Sequence, residues 1–290
     1  SLTISLSPKA GFLTAISSFI VRVSCRIHWF TGQVWITKKG FFYIFYKFLD
    51  KIISNLSHHI LVDSYSQMKF LVSKNIISKN KSSVLWNGSV GGVNLKKFKF
   101  KKESRDELRR KFQISKNDFI FLYLGRINRD KGVIDLINAF KALKETYKIF
   151  LILVGPMEDN YIKKRINKNN KIYYVGKTLS PEKWYSMADI LCLPSYREGF
   201  GSVVIEAGSC NLPSLGSNIY GITDSIVQNQ TGILHKVGNI IDIKKKMLFA
   251  INNKKLLKQY GLNARKRAEK KFEERLLCNK FFEFINQKLD

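Results

Sequence analysis

The sequence is poor in cysteine, histidine and acid, and it has no long apolar run. Its four cysteines, Cys25, Cys192, Cys210 and Cys278, form no C-x-x-C pair, and its four histidines are scattered. Neither a zinc site nor a disulfide framework is indicated. This pattern suits a reducing, cytosolic chain. No Asp-x-Asp occurs, which leaves a carboxylate-held metal without visible ligands. The longest uncharged apolar stretch near the start, residues 10–21, holds 12 residues between Lys9 and Arg22, and a membrane-spanning helix needs roughly 20. No small-residue cleavage site follows it, so it does not read as a secretory signal. No repeat of fixed period is present. Acids number 22 against 50 Lys and Arg, a net charge of +28. That balance favours anionic partners: nucleic acid, an acidic membrane surface or phosphorylated ligands. Compositional drift toward lysine explains part of the same count, so charge alone does not choose among them.

What is present is ordinary globular material. The 290 residues, 45% hydrophobic and 25% charged, allow about two packed domains at roughly 100 to 200 residues each. From residue 116 onward, short β-branched or aromatic runs alternate with segments of helical period, the mark of βα units and a parallel sheet. Strands are expected at 119–124, 149–154, 172–175 and 190–193. Val133, Leu136, Ile137, Phe140 and Leu143 recur at the spacing of one helix face that lies on that sheet. Ser180-Pro181-Glu182 reads as the start of another helix. The first 95 residues show the same rhythm more faintly, with helices near 10–19, 41–56 and 66–74 and strands near 26–30, 59–62 and 83–86. The glycine-rich turn at 87–92 and the lysine-rich stretch at 96–102 separate the halves. The expected division is 1–95, then 96–268, then a helix at 269–290 that packs back on the first part.

The strongest local signal is P-S-Y-R-E-G-F-G-S-V-V-I-E-A-G at 194–208. Glu198 falls on a loop at the carboxyl end of a parallel strand, where ligands of open α/β sheets bind, and Glu206 falls about one turn into the next helix. Gly199 and Gly201 let the backbone approach a ligand closely. The amides of Phe200, Gly201 and Ser202 at that helix start are unpaired donors that suit a phosphate, with a dipole contribution of ~0.3–1 kcal/mol. Spacing alone equally allows a helix entered through a glycine turn with two solvated acids. A second cluster is Gly125-Arg126 at a strand end and Lys131-Gly132 at the following helix. Two cations there can neutralise a diphosphate, each contact being of order 4 kcal/mol at about 4 Å for an effective dielectric near 20. An exposed loop with ordinary Arg and Lys has the same wording.

Taken together, F-L-Y-L-G-R-I-N-R-D-K-G, L-V-G-P, Y-V-G-K, the 194–208 run and Y-G-I-T-D-S-I-V-Q-N-Q-T-G-I-L-H resemble glycosyltransferase family 4, most nearly its capsule and O-antigen branch. The resemblance runs from Ser7-Pro8-Lys9-Ala10-Gly11 through W-N-G-S-V-G-G-V-N to the last helix. It implies an α/β protein of GT-B fold: two Rossmann-like domains with parallel sheets facing a cleft, the N-terminal one here incomplete. It further implies that Arg126 and Lys131 hold the donor diphosphate, that Glu198 bonds donor-sugar hydroxyls and that Glu206 bonds the ribose. The amides of Gly199, Phe200, Gly201 and Ser202 would complete the phosphate site, and Val175 and Gly176 would border the base. Glu198, Arg126 and Lys131 are thus the expected catalytic residues. The implied reaction retains anomeric configuration, needs no metal or other cofactor, and moves a sugar from a UDP-linked donor to a lipid-linked saccharide. It places the enzyme at the anionic inner face of the bacterial cytoplasmic membrane, with no nucleic-acid partner.

One departure stands in the N-terminal part. Many members of that family carry T-x-H-G after a strand at the cleft, and here the stretch is Arg26-Ile27-His28-Trp29-Phe30-Thr31-Gly32. Thr31 stands where that His would be, so Thr31 and Gly32 are expected on the acceptor side of the cleft. His28, of opposite parity on the strand, cannot take its place and reads as a half-buried strand residue. Residues 40–56 read as a helix with a narrow polar stripe of Lys47, Asp50, Lys51 and Ser54 and a wide arc of Phe41, Phe42, Tyr43, Phe45, Tyr46, Phe48, Leu49 and Ile52. Such an arc is core on two sides, or core plus membrane interface. Two rivals are a nucleotide-sugar epimerase on the same fold, for which only Asp50 and Asp63 offer N-terminal acids, and a basic protein that binds nucleic acid or membrane without catalysis. No nucleic-acid reading motif is visible. The short first part and the start at Ser1 further suggest an N-terminally truncated enzyme that binds donor but fails in transfer.

Overall fold

A computed structural model describes residues 1–144, 146–166 and 170–289. The first unit runs β1 (Leu2–Ser5), α1 (Pro8–Ile20), β2 (Cys25–Phe30), α2 (Gly40–Leu56), β3 (His59–Val62), α3 (Tyr65–Ser73) and β4 (Ser82–Val84). Its four strands are parallel in the order β1-β2-β3-β4. Ser7 opens α1 by accepting the amide of Ala10, with Pro8 at a position where a missing N–H costs nothing. β1 carries no run long enough to read from sequence. It forms by pairing Leu2, Thr3, Ile4 and Ser5 with residues 25–28.

The second unit comprises α4 (Lys102–Lys111), β5 (Phe119–Leu124), α5 (Val133–Lys141), β6 (Ile149–Val154), α6 (Asn160–Ile166), β7 (Ile172–Gly176), α7 (Pro181–Met187), β8 (Ile190–Leu193), α8 (Ser202–Ser209), β9 (Ser214–Ser217), α9 (Ile222–Ser225), β10 (Gly232–His235), α10 (Ile240–Asn252) and α11 (Lys254–Lys271). Its six strands are parallel in the order β10-β9-β8-β5-β6-β7. One core fills each face. Val133, Leu136, Ile137 and Phe140 of α5 lie on the first, so the helical spacing in the sequence identifies the buried face. Each such side chain contributes about 1.5–3 kcal/mol on full burial. Val204, Ile205 and Ala207 of α8 lie on the second, with Ala268 of α11. Part of the basic excess is structural: Arg105 and Arg109 of α4 both bond Asp189, at 2.6 and 2.8 Å, and Asp189 also accepts the Ile120 amide.

The last helix, α12 (Glu274–Leu289), returns to the first unit. Phe281, Phe284 and Ile285 pack on Cys25, Ile27, Trp29 and Leu61, and the Phe281 ring lies 5.7 Å from that of Trp29.

One expectation, that for His28, is corrected, and the orientation of α2, left open by its periodicity, is now defined. The polar stripe of α2 does not face solvent as a whole, because Asp50 and Ser54 are buried while Phe41, Phe42, Phe45 and Phe48 are exposed. The cause is Trp35, whose indole N–H donates to Asp50 Oδ2 at 2.8 Å and draws that side of α2 inward. His28 is fully rather than half buried, with Nδ1 2.8 Å from Ser5 Oγ, and burial pushes its pKa down to about 4.

Burial moves Asp50 the other way, up to about 7, although the Trp35 N–H favours the charged form. Folded chains then keep on Asp50 a proton that unfolded chains release above the ordinary value of 3.8. Stability from this group is full below that value and is lost as pH rises toward 7. Asp50→Asn should therefore be more stable than the parent by up to ~4 kcal/mol near pH 8, with the gap closing near pH 4. Urea unfolding at several pH values measures this. A gap that does not vary with pH would mean that Asp50 is ionised in the folded protein.

Candidate active site

The order of the larger sheet reverses between β5 and β8, and ligands of open parallel sheets bind outside the carboxyl ends of the strands at that point. Two turns meet there. After β5, a single 3-10 turn, Arg129–Lys131, ends on Gly132, whose φ of +66° starts α5. A Cβ on Gly132 would fall 2.0 Å from the Pro194 carbonyl oxygen, so only glycine brings this turn against the one after β8. The result is a contact between Lys131 Nζ and Glu198 Oε1 at 2.5 Å. Glu198 Oε1 also accepts the Ser195 hydroxyl at 2.9 Å. The two side chains are only 18% and 14% exposed, so solvent screens the pair weakly. Arg126 is 53% exposed, with Nη1 3.7 Å from Glu158 Oε2. Its carbonyl accepts the hydroxyl of buried Tyr123 at 2.6 Å, which fixes the backbone of the turn.

Gly201, φ +80°, leads into α8, and no side chain caps the helix start at Ser202. Phe200 turns its ring into the core, 5.1 Å from that of Phe272, so its side chain is turned away from the crevice. Glu206, on the second turn of α8, accepts the hydroxyl of fully buried Tyr185 at 2.7 Å. Burial raises its pKa, and the Tyr185 bond and the positive charge of Lys97 oppose that rise. Val175 lies within β7 and packs partly on the core, whereas Gly176, φ +85°, ends the strand. Lys131, Glu198 and the start of α8 therefore lie at the crevice outside the carboxyl ends of β5 and β8, Arg126 is on the same β5 turn with its guanidinium toward Glu158, and Glu206 sits on the second turn of α8.

The N-terminal unit closes the other side. Gly199 meets the ends of β2 and β3 so tightly that a Cβ there would lie 2.3 Å from Asp63 Oδ2 and 2.5 Å from the Thr31 carbonyl. A Cβ on Gly32 would lie 3.4 Å from the Gly199 nitrogen. The Ser64 hydroxyl donates to the Gly199 carbonyl at 2.8 Å. Asp224, on α9, accepts the Tyr65 amide at 3.1 Å and the Ser66 hydroxyl, so a C-terminal acid caps α3. In the sequence Asp63 stands out only as one of two N-terminal acids. It proves to be buried beside this loop, and burial together with the charge of Glu198 raises its pKa to about 7. Its place at the carboxyl end of β3 is the available signal. Tyr185 gives none, because a buried tyrosine in a helix looks like core. Among the described residues, no group of three or more His, Cys, Asp or Glu is arranged to hold a metal ion.

Fold and crevice together define a class: two parallel α/β sheets facing each other, with an anion-suited site at the switch point of the larger one. The chain belongs to the family of glycosyl transferases group 1, whose model matches residues 104–267. It is 30% identical over 287 residues to the capsular polysaccharide biosynthesis glycosyltransferase CapM of Staphylococcus aureus, covering 97% of this chain and 75% of that one. It is 25% identical over 245 residues to the N,N'-diacetylbacillosaminyl-diphospho-undecaprenol alpha-1,3-N-acetylgalactosaminyltransferase of Campylobacter jejuni, covering 82% of this chain and 63% of the other. In structure it is similar to Anabaena HepE, solved with UDP, with a TM-score of 0.85 at 19% identity over 99% of this chain and 79% of that one. The GT-B architecture expected from the sequence is the one observed.

Gly199→Ala tests the closure. The added methyl must displace Asp63 or the Thr31 backbone, and overpacking of this kind costs about 1–3 kcal/mol. Thermal unfolding should show a lower midpoint for the variant. An unchanged midpoint would show that the loop does not rest on β2 and β3 in solution.

Proposed function

We propose that this protein transfers a sugar, with retention of configuration and without a metal, from a UDP-linked donor to a lipid-linked saccharide in capsule or O-antigen synthesis. The observation that carries the donor part is the crevice between β5 and β8, where Lys131 meets Glu198, the uncapped start of α8 follows, and Arg126 stands exposed on the same β5 turn as Lys131. A diphosphate seated there receives two cations and helix amides, which stabilise the charge that develops as the bond to the anomeric carbon breaks. The acceptor hydroxyl attacks on the face from which the diphosphate departs, and its proton passes to the departing oxygen. Glu198 orients the donor sugar and is itself held by Lys131 and Ser195. Glu206, held by Tyr185, takes the ribose. Support for UDP comes from HepE, solved with that nucleotide. Support for a lipid diphosphate acceptor comes from the name of the Campylobacter relative. The epimerase alternative draws on Asp63 alone, since Asp50 is buried on the inner face of α2 against Trp35.

Arg126→Ala and Lys131→Ala should each weaken UDP binding more than uridine binding in metal-free buffer, by roughly tenfold or more for a lost charge-assisted contact. Glu206→Gln should weaken UDP itself, and Glu198→Gln only the sugar-bearing donor. Calorimetry reads all four. A strict requirement for magnesium, or equal losses for UDP and uridine, would overturn the diphosphate assignment.

Among the described residues no helix is long and apolar enough to cross a membrane; we propose that the exposed Phe41, Phe42, Phe45 and Phe48 of α2 and the lysines before it rest on the anionic inner leaflet. Near such a surface each cation contributes about 1 kcal/mol. Co-sedimentation with phosphatidylglycerol vesicles should fall on changing Phe41, Phe45 and Phe48 to Ser, with the fold intact by circular dichroism. Undiminished binding by that variant would place the contact elsewhere.

A further inference from the structure

A second cavity, of about 730 Å³, lies between the two units on the α5 side of the crevice. Residues 36–39 and Phe70 form one wall, and the start of α5, Tyr196, Ile219 and Tyr220 form the other. The two acids in its lining are already partnered. Asp130 accepts Arg197 at 3.1 Å and the Thr37 hydroxyl at 3.2 Å, and Asp135 accepts the Tyr196 hydroxyl at 2.6 Å. Arg129 is likewise taken up by Asp159, at 2.9 Å. Lys38 and Lys39 are exposed and have no acidic partner among the described residues, and the neutral Tyr196 hydroxyl leaves the charge of Asp135 in place, so two adjacent cations on one wall stand against one carboxylate on the other. Its floor is apolar: Ile36 lines it, and the ring of Phe70 is stacked on that of Tyr220 at 4.6 Å.

Two continuities give the cavity a direction. On the outside, Lys39 immediately precedes α2, where Phe41 and Phe42 are 72% and 59% exposed. On the inside, Gly132 and Tyr196 in the lining stand one and two residues from Lys131 and Glu198. An occupant that meets all of this is an amphiphile: a hydrocarbon chain along the aromatic face of α2, two phosphates at the lysines, and a polar group reaching toward Glu198. We propose that this cavity seats the diphosphate of the lipid-linked acceptor, with Lys38 and Lys39 as its binding groups. The assignment rests on the reading of the chain as a transferase to a lipid-linked saccharide. It adds a second diphosphate site, separate from that of the donor.

The test uses the intact chain and farnesyl diphosphate as a soluble lipid diphosphate, with binding measured by calorimetry at saturating UDP so that the donor site is filled. Farnesyl diphosphate should bind the UDP complex, and the Lys38→Gln/Lys39→Gln variant should bind it at least about tenfold more weakly, with UDP affinity unchanged. Both lysines are exposed, so the double change leaves the fold intact. Displacement of farnesyl diphosphate by UDP, or equal affinity in parent and variant, would overturn the site. Inorganic pyrophosphate binding as tightly as farnesyl diphosphate would overturn the lipid assignment, because the chain would then add nothing. Failure of UDP itself to bind would overturn the donor reading instead, and lysine-dependent binding of farnesyl diphosphate would stand apart from it.

Discussion

The backbone of Gly199 touches the N-terminal unit at a distance no other residue could tolerate, and the arrangement of the crevice follows from that contact. The loop after β8 starts from a rigid six-stranded sheet and ends on an eight-residue helix, so its tip has little freedom. With Thr31, Asp63 and Ser64 pressed against that tip, Glu198 is held one residue away at the boundary between the units. The second glycine in the assembly, Gly221, faces the same tip, since a Cβ there would fall 2.5 Å from the Gly199 carbonyl oxygen. Four segments thus meet at one point, with the Asp63 carboxyl group packed against the tip. Their polar groups are served by Ser64, by Ser66, which accepts the Gly221 amide at 2.7 Å, and by Asp224.

That geometry determines how charge is distributed. Glu198 is buried enough to require a partner, because an isolated carboxylate out of water costs several kcal/mol. Lys131 supplies the partner, and it does so because Gly132 allows the β5 turn to reach the Pro194 carbonyl. Asp63, packed against the same tip, forms no ion pair among the described residues and is raised to about 7 by burial and by the charge of Glu198. Two carboxyl groups therefore share one neighbourhood with one cation, and burial favours the neutral form of Asp63. An anionic ligand entering this space meets less negative charge than the residue count suggests.

Much of this is legible in the sequence where local pattern and tertiary role agree. β5 and β6 are unbroken apolar runs because both faces of a parallel sheet are covered, and the positions at the carboxyl ends of such strands face the ligand as a general rule of open sheets. Lys131 and Glu198 are legible on that ground. β9 is not, because Ser214-Leu215-Gly216-Ser217 has neither period nor bulk and is a strand only through its ladders to β8 and β10. The orientation of α2 is hidden for a related reason. Periodicity reports that a helix has two faces, and it takes Trp35, a residue outside the helix, to decide that Asp50 turns inward. Asp63 and Ser64 escape because their role depends on a contact 135 positions along the chain. No window of sequence contains that contact.

The position held by Thr31 shows how the units divide the work. By its resemblance to family 4, the chain has Thr31 where many members carry a histidine able to hold positive charge, and the contact Thr31 makes with the Gly199 tip is through its backbone carbonyl. His28 cannot substitute, since burial against Ser5 and Phe30 lowers its pKa to about 4 and keeps it neutral. The cation seen in the crevice is Lys131, on a turn of the six-stranded sheet, with Arg126 exposed on the same turn. On the N-terminal side, Lys38 and Lys39 line the second cavity at the edge of the aromatic face. Charge in the crevice is thus fixed by glycine-shaped turns on the rigid sheet, whereas charge on the N-terminal unit sits on flexible side chains beside exposed rings. The first arrangement suits one ligand in one pose, and the second suits an amphiphile whose chain length and position vary.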